Sequence, residues 1–138
     1  MLGVKNYSKE YVDACKANID QQLKTYTKLA SEAKNADSKT IVAFEHSFFN
    51  NLVVLLDAFF VHRIRAVEGK DGNPMNEVRV VANSVLSNKG KMGTDSTIKM
   101  KPENSVLKLK AGDEIRLSQQ QFVMLSKAFF AEMEKRYL

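Results

Sequence analysis

The stretch FFNNLVVLLDAFFV, residues 48–61, is the most apolar part of the chain, and the fold must be built around it. It is interrupted by Asn50, Asn51 and Asp57, and basic residues follow it directly. A helix that crosses a bilayer needs about 20 consecutive apolar residues, so we expect no membrane span and no membrane partner. The stretch predicts the central, buried helix of a soluble protein.

This central helix is predicted over 38–68, because a polar break (NADSK) precedes it and Gly69 is the first helix breaker after it. At 100° per residue its apolar side chains cover more than half of the helix circumference. Such a helix must contact several neighbours. We also expect Gly69 to end it with a left-handed backbone conformation.

The other helices are predicted over 8–34, 74–87 and 118–137. Ser8 can cap the first of them. Asn73 followed by Pro74 has the form of an N-cap with proline at the first helical position. Ser118 and Gln121 form a capping box at the start of the last helix.

The region 97–117 alternates apolar and polar residues with a period of two, as in TIKMK, SVLKL and DEIRL. This pattern predicts a small β hairpin or meander. The fold class is therefore mainly α: an antiparallel four-helix bundle with a β insertion between its third and fourth helices. We expect residues 1–138 to form a single domain.

Composition restricts the class of protein further. Hydrophobic residues make up 44% of the 138 residues, as in an ordinary soluble domain. No export signal is recognisable at the start of the sequence, so we expect a cytoplasmic protein. Because Cys15 is the single cysteine, an internal disulfide is excluded, and a buried, unreactive thiol is expected.

The basic charge is concentrated in one segment. Residues 89–110 contain six lysines against Asp95 and Glu103, a net charge of +4 within a total of +5. The segment has no arginine and no aromatic residue that could stack on bases. We interpret the lysines as solubilising and nucleic acid as an unlikely partner; weak binding of nucleic acid through this segment is an alternative.

Motifs of known chemistry are missing. His46 and His62 lie sixteen residues apart, too far for two ligands in one helical turn, so no metal is expected. The sequence contains neither a GxxxxGK(S/T) loop nor a GxSxG elbow, and no cofactor is expected. We therefore favour a protein without catalysis of its own.

A polar stripe runs along the predicted central helix. His46, Asn50, Asp57 and Glu68 lie within about 40° of one another at the ideal helical angle. The simplest interpretation is the exposed face of an otherwise buried helix. The alternative is a polar cleft or a surface for self-association.

Two charges fall within the apolar arc of the same helix. Glu45 and Arg63 each need a partner, because an unpaired buried charge is costly. They are about 27 Å apart along the helix, so they cannot pair with each other. For Arg63 we predict Glu77 or a carboxylate of the last helix as the partner, and a structural pair rather than a ligand site.

The sequence HRIRAVEGKDGNPMNEVR, residues 62–79, is a polar corner that could bind an anion at the start of the third helix. The candidate ligand-binding residues are His62, Arg63, Arg65, Lys70, Asn73 and Arg79. However, Glu68 and Asp71 could neutralise these groups internally. We favour a structural corner over an anionic ligand, and an anionic ligand over catalysis.

The sequence thus predicts a small cytoplasmic binding or interaction module. We expect it to form a homodimer through the polar stripe or the corner, with another protein as a further candidate partner. The rival hypothesis is an enzyme, or a protein that binds a nucleotide or another anionic small molecule in a cleft between helices. The residues of that cleft would be Glu45, His46, Asp57, His62, Arg63 and Lys70.

Overall fold

Helices dominate the computed structural model, which describes residues 3–33 and 37–138. Within these residues the helices are α1 (Lys9–Glu32), α2 (Ser38–Phe59), α3 (Arg65–Glu68), α4 (Pro74–Ser87) and α5 (Gln119–Tyr137). Helix α2 packs against α1, α4 and α5, and α4 also packs against α5. This packing is compatible with a bundle in which α2 is the central element.

Local capping groups set where the helices begin. The Ser8 hydroxyl accepts a hydrogen bond from a backbone N–H of the first turn of α1. Asn73 caps α4, and Pro74 is its first residue. Ser118 and Gln121 form both bonds of a capping box at the start of α5. These three predictions are confirmed, because each depends on residues within one helical turn.

The prediction of one helix over 38–68 is wrong. Helix α2 ends at Phe59, the chain then turns, and the single-turn α3 follows. Gly69 ends a helix, as predicted, and has a φ of +82°, a backbone conformation that favours glycine; the helix that it ends is α3, because α2 has already ended at Phe59.

The break after α2 comes from a pairing with the beginning of the chain. Val4 and Arg63 form a parallel β-bridge, in which Val4 N–H donates to the His62 carbonyl (2.8 Å) and Ile64 N–H donates to the Val4 carbonyl (2.9 Å). The turn also lets the Arg63 guanidinium reach back to the Phe60 carbonyl at the end of α2 (3.0 Å). A cation is favourable at the carbonyl end of a helix.

The predicted hairpin or meander at 97–117 is not formed, since no residue of this described segment lies in a strand. An isolated antiparallel bridge joins Lys91 to Glu114. Some backbone groups of the segment bond to side chains of the helices, Glu77 and Asn50, described below, and others bond to backbone carbonyls within turns or of residues outside the segment. Three apolar residues of the alternating pattern are nevertheless buried, namely Ile98, Ile115 and Leu117.

The core is continuous through α1, α2, α4, α5 and the irregular segment. Its fully buried members include Phe49, Leu56, Phe60, Val78, Phe122 and Phe129. Cys15 is buried and free, as expected. By length and composition alone, α2 is also apolar enough to cross a membrane.

Candidate functional site

Glu68 is the centre of a buried charge network at the corner between α2 and α4. Its side chain has no exposed surface. Oε1 accepts hydrogen bonds from Arg63 Nε (2.7 Å) and Arg79 Nη2 (2.6 Å). Oε2 accepts from Asn76 Nδ2 (2.6 Å) and Arg79 Nε (3.2 Å). Both carboxylate oxygens are therefore fully engaged within the protein.

Arg63 connects this carboxylate to the end of α2. Its Nη2 donates to Oδ1 of Asp57 across 2.8 Å, and its side chain is completely buried. Arg63 therefore has partners, as expected, but they are Asp57 and Glu68; the prediction of Glu77 or a carboxylate of α5 is wrong. Together with Arg79, the network holds two guanidinium groups and two carboxylates, so its formal charge is zero.

The network keeps Glu68 ionised. Burial by itself raises the pKa of a carboxyl group, because it disfavours the charged form. Here the hydrogen bond from Arg79 and the positive charges of Arg63 and Arg79 outweigh burial, and the pKa of Glu68 lies below its usual value. Glu68 is therefore a permanent anion near neutral pH.

The N-terminus of α4, a candidate anion site from the sequence, is occupied by side chains of the corner. Asn73 Oδ1 accepts the backbone N–H groups of the first turn, and Asn76 Oδ1 accepts Gly72 N–H (2.9 Å). Asn73 Nδ2 donates to the Glu68 carbonyl and to Asp71 Oδ1, both at 2.8 Å. The groups that would bind an anion are thus satisfied internally.

The six predicted anion ligands do not converge on one point. Arg63, Arg79 and Asn73 contact Glu68 and are engaged there. The other three form no bond with Glu68: Arg65 pairs with Asp95 across 3.2 Å, and the side chains of His62 and Lys70 are exposed. The corner therefore has the geometry of a structural joint.

The polar stripe binds a segment of its own chain. Asn50 donates from Nδ2 to the Ile115 carbonyl (2.6 Å) and accepts the Leu117 N–H at Oδ1 (3.1 Å). His46 Nδ1 lies 3.1 Å from the Leu117 carbonyl. The side-chain amide of Asn50 therefore forms the two hydrogen bonds with this backbone that a neighbouring strand would otherwise form. Glu68 does not belong to the stripe, because α2 ends before it.

Glu45 joins three helices. Its Oε1 accepts the Tyr26 hydroxyl of α1 (2.6 Å), and its Oε2 accepts the backbone N–H of Gln119, the first residue of α5 (3.1 Å). Burial and this bond to the carboxylate raise the pKa of Tyr26 to about 12. A carboxylate at the N-terminus of α5 also interacts favourably with the helix dipole.

Glu77 has a role that the sequence did not indicate. It is completely buried and accepts three hydrogen bonds from one turn of the irregular segment: Ser105 Oγ (2.9 Å), Val106 N–H (2.8 Å) and Leu107 N–H (2.9 Å). In the described part of the chain, no basic side chain forms an ion pair with it. No signal in the sequence points to this role, because the partner turn has no sequence signature.

The described residues hold no metal centre, and the cavity at the start of α2 does not bring the residues of the predicted cleft together. Within 3–33 and 37–138, no group of three His, Cys, Asp or Glu side chains could hold a metal ion. This surface cavity, of about 570 Å³, is lined by Lys39, His46 and Arg116, among others. Of the residues of the predicted cleft, this cavity contains His46 alone.

The chain matches no protein-family model, and no curated protein or solved structure matches it significantly.

Proposed function

We propose that this protein is a cytoplasmic interaction module without catalysis of its own, and that it associates into a homodimer. The hydrogen bonding of its buried charges supports the absence of catalysis. Arg63, Glu68 and Glu77 already form their hydrogen bonds with other groups of the protein itself. Groups that are satisfied in this way hold a scaffold in shape, and binding is then left to the surface.

The observation that carries the proposal is an apolar surface patch where α1 ends and α2 begins. Leu29 and Phe44 are 56% and 53% exposed, and we call these two residues the apolar end. Val42 is 50% exposed, but it lies two residues from Phe44 and therefore on a different face of α2. The Phe44 ring stacks on Phe48 and on Tyr26, with centroids 5.6 and 6.4 Å apart. A contiguous exposed apolar patch usually marks an interaction site.

A second copy of the chain is the partner that requires the fewest assumptions. In a twofold dimer the same patch is used by both subunits, so one apolar patch is sufficient. The surfaces favoured by the sequence, the polar stripe and the corner, are engaged with the protein's own chain. The dimer contact is therefore assigned to the apolar end.

Sedimentation of the wild-type protein and of charged variants tests this assignment. We expect the wild type to sediment as a dimer, and Leu29→Glu and Phe44→Glu to sediment as monomers, because a carboxylate cannot be buried without a partner. Leu86→Glu is the matched control, since Leu86 is 69% exposed on α4. A wild type that is monomeric across its accessible concentration range, or a control that dissociates equally, overturns the proposal.

An anionic small molecule is the second candidate ligand, supported by the cavity of about 570 Å³ next to Lys39, His46 and Arg116. Inorganic phosphate and nucleotides are the probes. A bound ligand at a hundred times its dissociation constant should stabilise the fold by about 2.7 kcal/mol, a shift that Lys39→Ala should reduce. An unchanged melting temperature with every probe counts against this candidate.

A further inference from the structure

The irregular segment between α4 and α5 is held against the corner, although it has no strand. Lys99 N–H donates to the Lys70 carbonyl across 2.9 Å. The Lys99 carbonyl lies only 2.5 Å from the position that a Cβ on Gly72 would occupy, so the two backbones are in close approach. Glu77 anchors the turn that follows. The surface of this segment therefore has a defined shape.

This surface carries two adjoining cavities, of about 330 and 400 Å³. They share Met100, Leu109 and Ala111, three apolar residues at the junction of the two cavities, which we call the floor. We call the pair the lysine hollow, because exposed lysines surround that floor. These lysines are Lys99 at the smaller cavity and Lys101, Lys108 and Lys110 at the larger one.

The four lysines around the hollow outnumber the acidic residues of the stretch 95–113, which are Asp95, Glu103 and Asp113. Over residues 3–33 and 37–138, none of these four ammonium groups forms a salt bridge. Lys108 Nζ donates to the Pro102 carbonyl (2.8 Å), which places it at the rim. Asp95, an acidic residue that lines the smaller cavity, is paired with Arg65. Four like charges around an apolar floor create a positive potential that favours an anionic partner.

We infer that the lysine hollow binds an acidic peptide segment of another protein. An apolar side chain of the peptide occupies the floor formed by Met100 and Leu109, and the flanking carboxylates lie against the lysines. This surface lies on the irregular segment, whereas the apolar end lies on α1 and α2, so the inference is independent of the proposed homodimer.

The shape and composition of the hollow distinguish this partner from other polyanions. Met100 and Leu109 are half-buried at the bottom of a concave surface, whereas insertion into a membrane requires apolar side chains that protrude. Nucleic acid binding without sequence preference relies on aromatic stacking and on arginine. The lining residues include neither. A peptide that carries one apolar side chain among carboxylates can contact the apolar floor and pair with the lysines at the rim at the same time.

Selection from a displayed library of random peptides tests the inference even though the partner protein is unidentified. We expect the wild-type protein to enrich sequences with an aliphatic residue flanked by Asp and Glu. A synthetic peptide of the enriched sequence should bind in a fluorescence anisotropy titration and weaken as salt is added, because the lysines are exposed. Each lysine removed, in Lys101→Ser and Lys110→Ser, should weaken binding by about two- to fivefold, the contribution of an exposed ion pair.

The controls distinguish the contribution of the lysines around the hollow from the effect of the protein's net charge. Lys127→Ser with Lys135→Ser makes the same change of charge on exposed positions of α5 and should leave binding unchanged. Leu109→Glu should abolish binding while the helical circular dichroism is retained. Enrichment of sequences without acidic residues, equal loss in the α5 control, or stronger binding of a single-stranded oligonucleotide or of phosphatidylserine vesicles overturns the inference.

Discussion

Arg63 donates from Nε to Oε1 of Glu68 across 2.7 Å, and neither side chain has any exposed surface. Removing two charges from water is costly, and their attraction offsets this cost only when the remaining donors and acceptors are also bonded. Here Asp57, Asn76 and Arg79 provide those bonds. The pair is therefore the joint that fixes α3 and α4 to the end of α2.

Removing the charge of Glu68 should strongly destabilise the fold. In Glu68→Gln, two guanidinium groups at the corner share only the carboxylate of Asp57, and we expect the free energy of unfolding to fall by about 3–5 kcal/mol. Urea unfolding followed by circular dichroism measures this loss. Asp13→Asn is the control, because it breaks the exposed pair with Lys9 and should leave the midpoint unchanged. Equal midpoints for Glu68→Gln and the wild type would contradict a stabilising network.

The stability of the protein should depend on pH on the acidic side through the same carboxylate. The pKa of Glu68 is lower in the folded protein than its usual value of 4.5. A lowered pKa contributes stability that is present above the unfolded value and is lost as the pH falls through the folded pKa. The free energy of unfolding should therefore decrease below about pH 4.5, and less steeply in Glu68→Gln. Parallel acid profiles in wild type and variant would argue that other carboxylates determine this decrease.

Asn50 and Asn51 offer a comparison of neighbouring residues. Asn50 bonds the Ile115 carbonyl and the Leu117 N–H, whereas the side chain of Asn51 is exposed. Because Asn50→Ala leaves backbone groups without partners, we expect a loss of about 1–3 kcal/mol. Asn51→Ala should change stability by less than about 0.5 kcal/mol. Thermal unfolding distinguishes the two, and similar melting temperatures would mean that water replaces the Asn50 amide without cost.

The hydroxyl groups of Tyr7 and Tyr137 differ in their hydrogen bonding. Tyr137 donates to the Ile64 carbonyl across 2.7 Å. The hydroxyl of Tyr7 is buried and has no hydrogen-bond partner in the described part of the chain. Tyr137→Phe should therefore cost about 0.5–1.5 kcal/mol, while Tyr7→Phe should leave the free energy of unfolding unchanged or raise it. A larger loss in Tyr7→Phe than in Tyr137→Phe would show that a bound water satisfies Tyr7.

The helix starts could be predicted from the sequence, because a capping group and the N–H that it binds lie within one turn. The end of α2 could not be predicted in this way. It depends on the bridge between Val4 and Arg63, whose partners are far apart in the sequence. Nothing local to Phe59 marks a stop, since the apolar pattern continues beyond it.

The period-two pattern at 97–117 correctly predicted the burial of Ile98, Ile115 and Leu117, but Met100, Leu107 and Leu109 are half-buried and the predicted strands are not formed. Alternation indicates which side chains face the core, and it does not specify what the backbone bonds to. Here Glu77 and Asn50 supply part of those bonds from the helices, and backbone carbonyls of turns and of Lys70 supply others.

The candidate site was predictable only in part. A charge within an apolar arc must have a partner, so the burial of Arg63 in a network could be expected. The identity of that partner could not, because the turn after α2 changes the direction in which the guanidinium points. The acceptor role of Glu77 depends on the path of a distant turn and has no local signal.

The attachment of the irregular segment to the start of α4 makes two distant stretches of sequence a single cooperative unit. Residues 99–107 can detach only if the Lys70 carbonyl and the Glu77 carboxylate lose their partners at the same time. Local opening of this unit should therefore cost nearly as much as opening the first turn of α4 itself. In native-state hydrogen exchange, the amides of Lys99, Val106 and Leu107 should exchange at rates typical of a helix, although they lie in a segment without regular secondary structure.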